Sequence, residues 1–130
     1  MEAVIYLDTH VVGWLYRLDP KSARLTLRAR EAIESGADLR ISPMVRLELQ
    51  YLFEIGRIAE PPLLVLDAIQ GPLGLTICDA PFPAVVREAE KQEWTRDPFD
   101  RMIVAQAALH DAALITADER MHANYGRCIW

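Results

Sequence analysis

Short β-branched and aromatic runs, separated by amphipathic stretches of helical length, constrain this chain more than any other feature. Val4-Ile5-Tyr6-Leu7, closed by Asp8, reads as a buried strand. Leu39-Arg40-Ile41, Leu75 to Cys78, Ala112 to Thr116 and Arg127 to Trp130 read as further strands. A helix is predicted from Thr9, as N-cap, to about Leu18. A second runs from Pro20 to a Gly36 cap, with Leu25, Ala29, Ala32 and Ile33 as its apolar stripe. Ser42-Pro43 starts a third that Gly56 closes. Pro61 to Ile69, Pro83 to about Gln92 and Asp97-Pro98 to about Asp111 are also expected to be helical, with Gly71-Pro72 and Gly74 as turn and a helical turn after Asp118. This alternation predicts an α/β domain: a mostly parallel sheet of about four to five strands between helical layers. At 130 residues, 52% of them apolar, the chain holds one such domain, 1–130, with no repeat or linker. Ligands of such sheets gather beyond the carboxyl ends of the strands, where Asp8 and Asp118 fall.

Composition excludes several classes. Cys78 and Cys128 lie far apart with no CxxC spacing, so neither a disulfide scaffold nor a zinc knuckle is expected. No apolar run approaches the ~18 residues of a membrane span. The opening MEAVIYLD has no basic export region, so a cytoplasmic protein without membrane association is expected. Nineteen acids against 14 bases, a net charge of −5, argue against a broad basic duplex-binding surface.

The placing of the acids says more than their number. Glu48 shares its helix face with Met44, Val45, Tyr51, Leu52 and Ile55 at offsets of three, four and seven. A carboxylate on such a stripe is paired with an arginine or bound to a metal. Asp97 and Asp100 open a helix, and a cap plus a first-turn acid suffices for a good helix start. Asp100 nevertheless shares its face with Ile103, Val104, Ala107 and Ala108, and Arg101 is placed to hold one of these carboxylates. Asp8 and Asp118 each have a turn or cap reading of their own. Taken together, acids at one edge of an α/β sheet repel one another unless a cation sits among them. Hard oxygen ligands without cysteine or paired histidine suit Mg²⁺ or Mn²⁺, and the chemistry that follows is metal-assisted phosphodiester hydrolysis.

Leu7-Asp8-Thr9-His10, Leu47-Glu48-Leu49, the stretch Arg96-Asp97-Pro98-Phe99-Asp100-Arg101 running on to Ala105-Gln106-Ala107, and Leu114-Ile115-Thr116-Ala117-Asp118 occur in that order. In this the whole chain resembles a PIN-domain ribonuclease of the VapC toxin type. The resemblance implies a three-layer PIN-like fold and an Mg²⁺- or Mn²⁺-dependent endoribonuclease. It implies a catalytic metal cluster of Asp8, Glu48, Asp100 and Asp118, with Asp97 as a further metal acid and Thr9 and Thr116 orienting a carboxylate or water. It also implies a VapB-like antitoxin partner and a homodimer. One departure is the run Glu119-Arg120-Met121 after Asp118, where family members often carry an aromatic.

RNA has a possible rim to meet. Arg17, Lys21, Arg24, Arg28 and Arg30 crowd one window that holds the single acid Asp19. Lys21, Arg24 and Arg28 are predicted on one helical face, either as a solvated face or as phosphate contacts. Trp14, Tyr16 and Trp94 are candidates for base stacking or for packing. Two rival functions stay open: a catalytically silent, metal-stabilised interaction module, and a haloacid-type phosphatase using Asp8 as nucleophile. The phosphatase wants an acid two residues on, where His10 stands.

Overall fold

The computed structural model describes residues 3–17 and 24–130. Among them five strands, β1 (Val4–Leu7), β2 (Asp38–Ile41), β3 (Thr76–Ile77), β4 (Ala113–Ile115) and β5 (Cys128–Ile129), form one sheet in the order β3-β2-β1-β4-β5. Every pairing is parallel, as the alternation with helices requires. The central β1 pairs with β2 on one side and β4 on the other, so the chain reverses its direction of growth between β1 and β4. At this switch point Leu7 is level with Ile115, and the Asp8 amide donates to the Ile115 carbonyl at 3.0 Å.

Among the described residues seven helices pack around the sheet: α1 (Thr9–Arg17), α2 (Leu27–Glu34), α3 (Pro43–Glu54), α4 (Pro62–Leu73), α5 (Phe82–Glu90), α6 (Pro98–Leu109) and α7 (Glu119–Asn124). Leu7, Ile41, Leu49, Leu66, Leu114 and Ile115 are wholly buried in the main core. The caps explain where the functional helices begin. Ser42 Oγ accepts the Met44 amide ahead of α3, and Asp97 and Asp118 cap α6 and α7 in the same way.

Four details depart from the sequence reading. Helix α2 starts at Leu27, because Thr26 Oγ1 accepts the Ala29 amide and caps it there. Leu25 and Arg24 therefore precede the helix, and Arg24 and Arg28 share no helical face; Lys21 lies outside the described residues. Thr9 is the first residue of α1 and not its cap, since its amide already donates to Asp8 Oδ1. Gly71-Pro72 continue α4, which ends at Gly74 in the left-handed conformation (φ +62°) that favours glycine. Tyr51 on α3 and Ile55 at its C-cap are half exposed, so the buried stripe narrows to Val45, Glu48 and Leu49.

Candidate active site

Asp8 leaves the end of β1 buried, with both carboxylate oxygens engaged. Oδ1 accepts the Thr9 amide at 2.7 Å, and Oδ2 accepts the Thr116 hydroxyl at 2.7 Å. Thr116 Oγ1 in turn accepts the Asp118 amide at 3.0 Å, so one buried hydroxyl ties the ends of β1 and β4 together. His122 on α7 donates Nε2 to the Thr116 carbonyl at 2.6 Å and braces it from behind. Asp118 spends Oδ1 on the amides of Arg120 and Met121.

Glu48 projects from the buried stripe of α3 towards the start of α6. There it meets Asp97 and Asp100, and each of the three offers a carboxylate oxygen within 4.8 Å of the others. Asp97 also caps α6, with Oδ1 accepting Phe99 and Asp100 amides, so its two roles coexist. Asp8 and Asp118 stand outside this trio but within electrostatic reach of it. Burial, then repulsion from Asp97, Asp8, Asp118 and Glu48, pushes the Asp100 carboxyl up to about 7. Burial also raises Glu48, helped by Asp8 and Asp97. Asp8 rises through burial, against the opposing pull of Thr116, His10 and the Thr9 amide. The half-buried Cys128 thiol rises to about 12, through burial and the same Asp8 and Asp118 charges, and stays protonated.

No lysine or arginine pairs with these acids among the described residues. Among the described residues the ion pairs are Arg40–Asp38, Lys91–Glu88 and Arg127–Asp111, none of them here. The arginine-paired reading of Glu48 is therefore not what the structure holds. Arg101 does not grip a carboxylate either among the described residues: its Nε donates at 2.9 Å to the Thr95 carbonyl, in the segment ahead of α6. It thereby fixes the loop that delivers Asp97, whose amide donates to Thr95 Oγ1. The Thr9 hydroxyl is buried and completes no hydrogen bond among the described residues, although it favours the ionised form of Glu48. A buried hydroxyl that completes no hydrogen bond, beside carboxylates that no lysine or arginine pairs with among the described residues, fits a hard, hydrated divalent cation.

A family model described as the PIN domain matches residues 5–127. This chain belongs to the PIN-domain family. It is also 32% identical over 122 residues to Ribonuclease VapC22 of Mycobacterium tuberculosis, across 92% of this chain and 91% of that one. This PIN domain resembles in fold a toxin–antitoxin complex from Klebsiella pneumoniae (TM-score 0.64, 18% identity, 97% of this chain and 96% of that one). It likewise resembles VapBC2 of Rickettsia felis bound to a promoter DNA fragment (TM-score 0.66, 19% identity, 96% of each chain).

Of the residues singled out from the sequence, Asp8, Glu48, Asp97, Asp100, Asp118, Thr9 and Thr116 converge on this edge of the PIN domain. Arg17 and Arg24 line a cavity beside it. Arg28 is exposed on α2 and is not among that cavity's lining residues. Sequence reasoning missed His122, Arg57 and Trp130. Arg57 lines the same cavity, and Trp130 packs on Trp14 at 5.5 Å between ring centroids. None of the three sits in a motif; only tertiary placement reveals them.

Proposed function

We propose that this PIN domain is an Mg²⁺- or Mn²⁺-dependent endoribonuclease, the toxin of a toxin–antitoxin pair acting in the cytoplasm. The observation that carries the reading is the convergence of Glu48, Asp97 and Asp100 beside Asp8 and Asp118 at the switch point, with no lysine or arginine paired to them among the described residues. Identity to a ribonuclease over most of both chains supports RNA as the substrate. The span of the family match supports reading 1–130 as a single domain. Free Cys78 and Cys128 support a reducing compartment.

In this reading Asp8, Glu48, Asp100 and Asp118 hold the cation, with Asp97 as a further acid. Bound there, the ion supplies water activation and charge neutralisation for in-line displacement at phosphorus. Thr116 fixes the rotamer of Asp8 and the approach of Asp118, while Thr9 has a hydroxyl to offer a water or a phosphate oxygen. A phosphatase nucleophile at Asp8 is disfavoured, because the exposed His10 stands where a second acid is needed. Exposed Leu63 and Leu64 on α4, and Leu47 and Tyr51 on α3 with Ile55 at its C-cap, support contact with an antitoxin or a second copy of the chain.

The purified chain, freed of any antitoxin, should cleave RNA with Mg²⁺ or Mn²⁺ and stop in EDTA. Asp8→Asn and Asp100→Asn should each abolish cleavage; unchanged cleavage in both variants would overturn the assignment. Tight partner binding without cleavage of any cellular RNA would establish the silent interaction module instead.

A further inference from the structure

A cavity of about 180 Å³ opens directly beside the acid cluster, between α1 and the segment that follows α3. It is lined by Thr9 and Leu49, the chain neighbours of Asp8 and Glu48, and by Trp14, Arg17, Arg24 and Arg57. Trp14 is half-buried, braced by Trp130, with the Arg24 guanidinium 5.9 Å from its ring centroid. None of the three arginines pairs with a carboxylate among the described residues. In a chain of net charge −5, three arginines that line one cavity and form no ion pair among the described residues mark a place for an anion.

Gly13 supplies the opening. It lies mid-helix in α1, where glycine weakens a helix, and a Cβ added there meets nothing within 4 Å. Its bare backbone leaves the floor of the cavity clear next to Trp14.

We infer that this cavity is a nucleobase subsite, taking one base of a single-stranded RNA against Trp14 while Arg17, Arg24 and Arg57 hold the flanking phosphates. The inference rests on the ribonuclease reading above for the kind of ligand. The chemistry is that of single-strand recognition in general: an aromatic face accepts any base, and arginine forks grip phosphate oxygens. Because Thr9 belongs to both cavity and cluster, a base seated here places a neighbouring phosphodiester at the acids. A peptide is the weaker occupant, since an apolar segment leaves the three arginines unanswered.

Two variants test this without disturbing the acids. Gly13→Leu fills the cavity with a better helix former, and Arg24→Ala/Arg57→Ala removes two cationic contacts from exposed positions. Binding of a fluorescein-labelled single-stranded RNA is read by anisotropy in EDTA, where cleavage is not needed. Each variant should weaken binding about tenfold, as expected for the loss of one stacked base or two phosphate contacts. In the double variant the slope of log K against log salt should fall by about 1.4, from ~0.7 per phosphate contact on a single strand. Circular dichroism and melting temperature confirm that both variants fold. Unchanged RNA affinity and salt slope in both would overturn the subsite, as would variants that release a cognate antitoxin yet keep their grip on RNA. If wild type binds RNA through the cavity but cuts nothing with Mg²⁺ or Mn²⁺, the ribonuclease reading fails and the subsite stands.

Discussion

Asp100 bears the repulsion of four other carboxylates, and that makes it the residue at which charge, stability and function separate. Its ordinary value of 3.8 applies to the unfolded chain, whereas in the fold it rises to about 7. Between these values the folded protein holds a proton that the unfolded chain has lost. Stability therefore falls as pH climbs through this window and stays lowered above it. Glu48 and Asp8 are shifted the same way and add to the trend. In EDTA, the protein should melt at a lower temperature at about pH 8 than at about pH 5.5. Asp100→Asn should raise the melting temperature at the higher pH and flatten the dependence, while abolishing cleavage. Scanning calorimetry across the window decides; a pH-independent variant no more stable than wild type would mean the repulsion is already relieved. Thr116 offers a second test at this scale. Thr116→Val keeps the buried volume but deprives Asp8 Oδ2 and the Asp118 amide of their shared partner. Loss of such an orienting bond typically costs about 10–100-fold in metal affinity or activity. The Mg²⁺ dependence of cleavage should shift accordingly, and Thr116→Ser should restore most of it.

Helix starts were the most legible elements, because an N-cap followed by proline is a local arrangement that needs no tertiary partner. Ser42-Pro43 and Asp97-Pro98 both sit where the sequence places them. The start of α2 was not legible, since Pro20 offers as good a start and Thr26 carries no proline after it. The end of α4 was misread for the converse reason: Pro72 in a last turn lacks only one amide donor, and Gly74 closes the helix beyond it. Arg101 was legible as a brace but not in its partner, because a backbone carbonyl leaves no mark in a sequence. The double duty of Asp97 can be separated experimentally at this scale. Asn caps a helix about as well as Asp, so Asp97→Asn should keep the cap and, by removing one charge from the trio, somewhat stabilise the metal-free fold at about pH 8. Asp97→Ala should in addition lose about 1 kcal/mol, measured by urea unfolding. Equal cleavage by wild type and the Asn variant would confine Asp97 to its role as a cap.

Across the whole molecule, the sheet order turns acids scattered from position 8 to position 118 into one site, and the net charge of −5 takes its meaning from that gathering. The alternating pattern made the carboxyl edge of the sheet legible, and with it Asp8 and Asp118. It could not show that Asp97 closes a trio with Glu48 and Asp100, which depends on how α3 and α6 meet. Nor could it show Trp130 packing on Trp14, or Arg57 lining the same cavity, since these residues come from distant stretches of the chain. The gathered acids also make the fold responsive to metal. A divalent ion that binds only the assembled cluster stabilises the native state by mass action, by about 2.7 kcal/mol at a hundredfold excess over its dissociation constant. For a chain of this length each kcal/mol is worth roughly 3–5 °C, so saturating Mg²⁺ should raise the melting temperature by about 10 °C. The gain should be larger at about pH 8 than at about pH 5.5, because protons compete for the same carboxylates. EDTA should reverse it, and the Asp8→Asn/Asp100→Asn double variant should lose it. A rise that survives in the double variant would place the cation elsewhere on the surface. No rise in wild type would mean that protonation and the hydrogen bonds of Thr9 and Thr116 suffice to hold the acids together, and the proposed metal chemistry would fall with it.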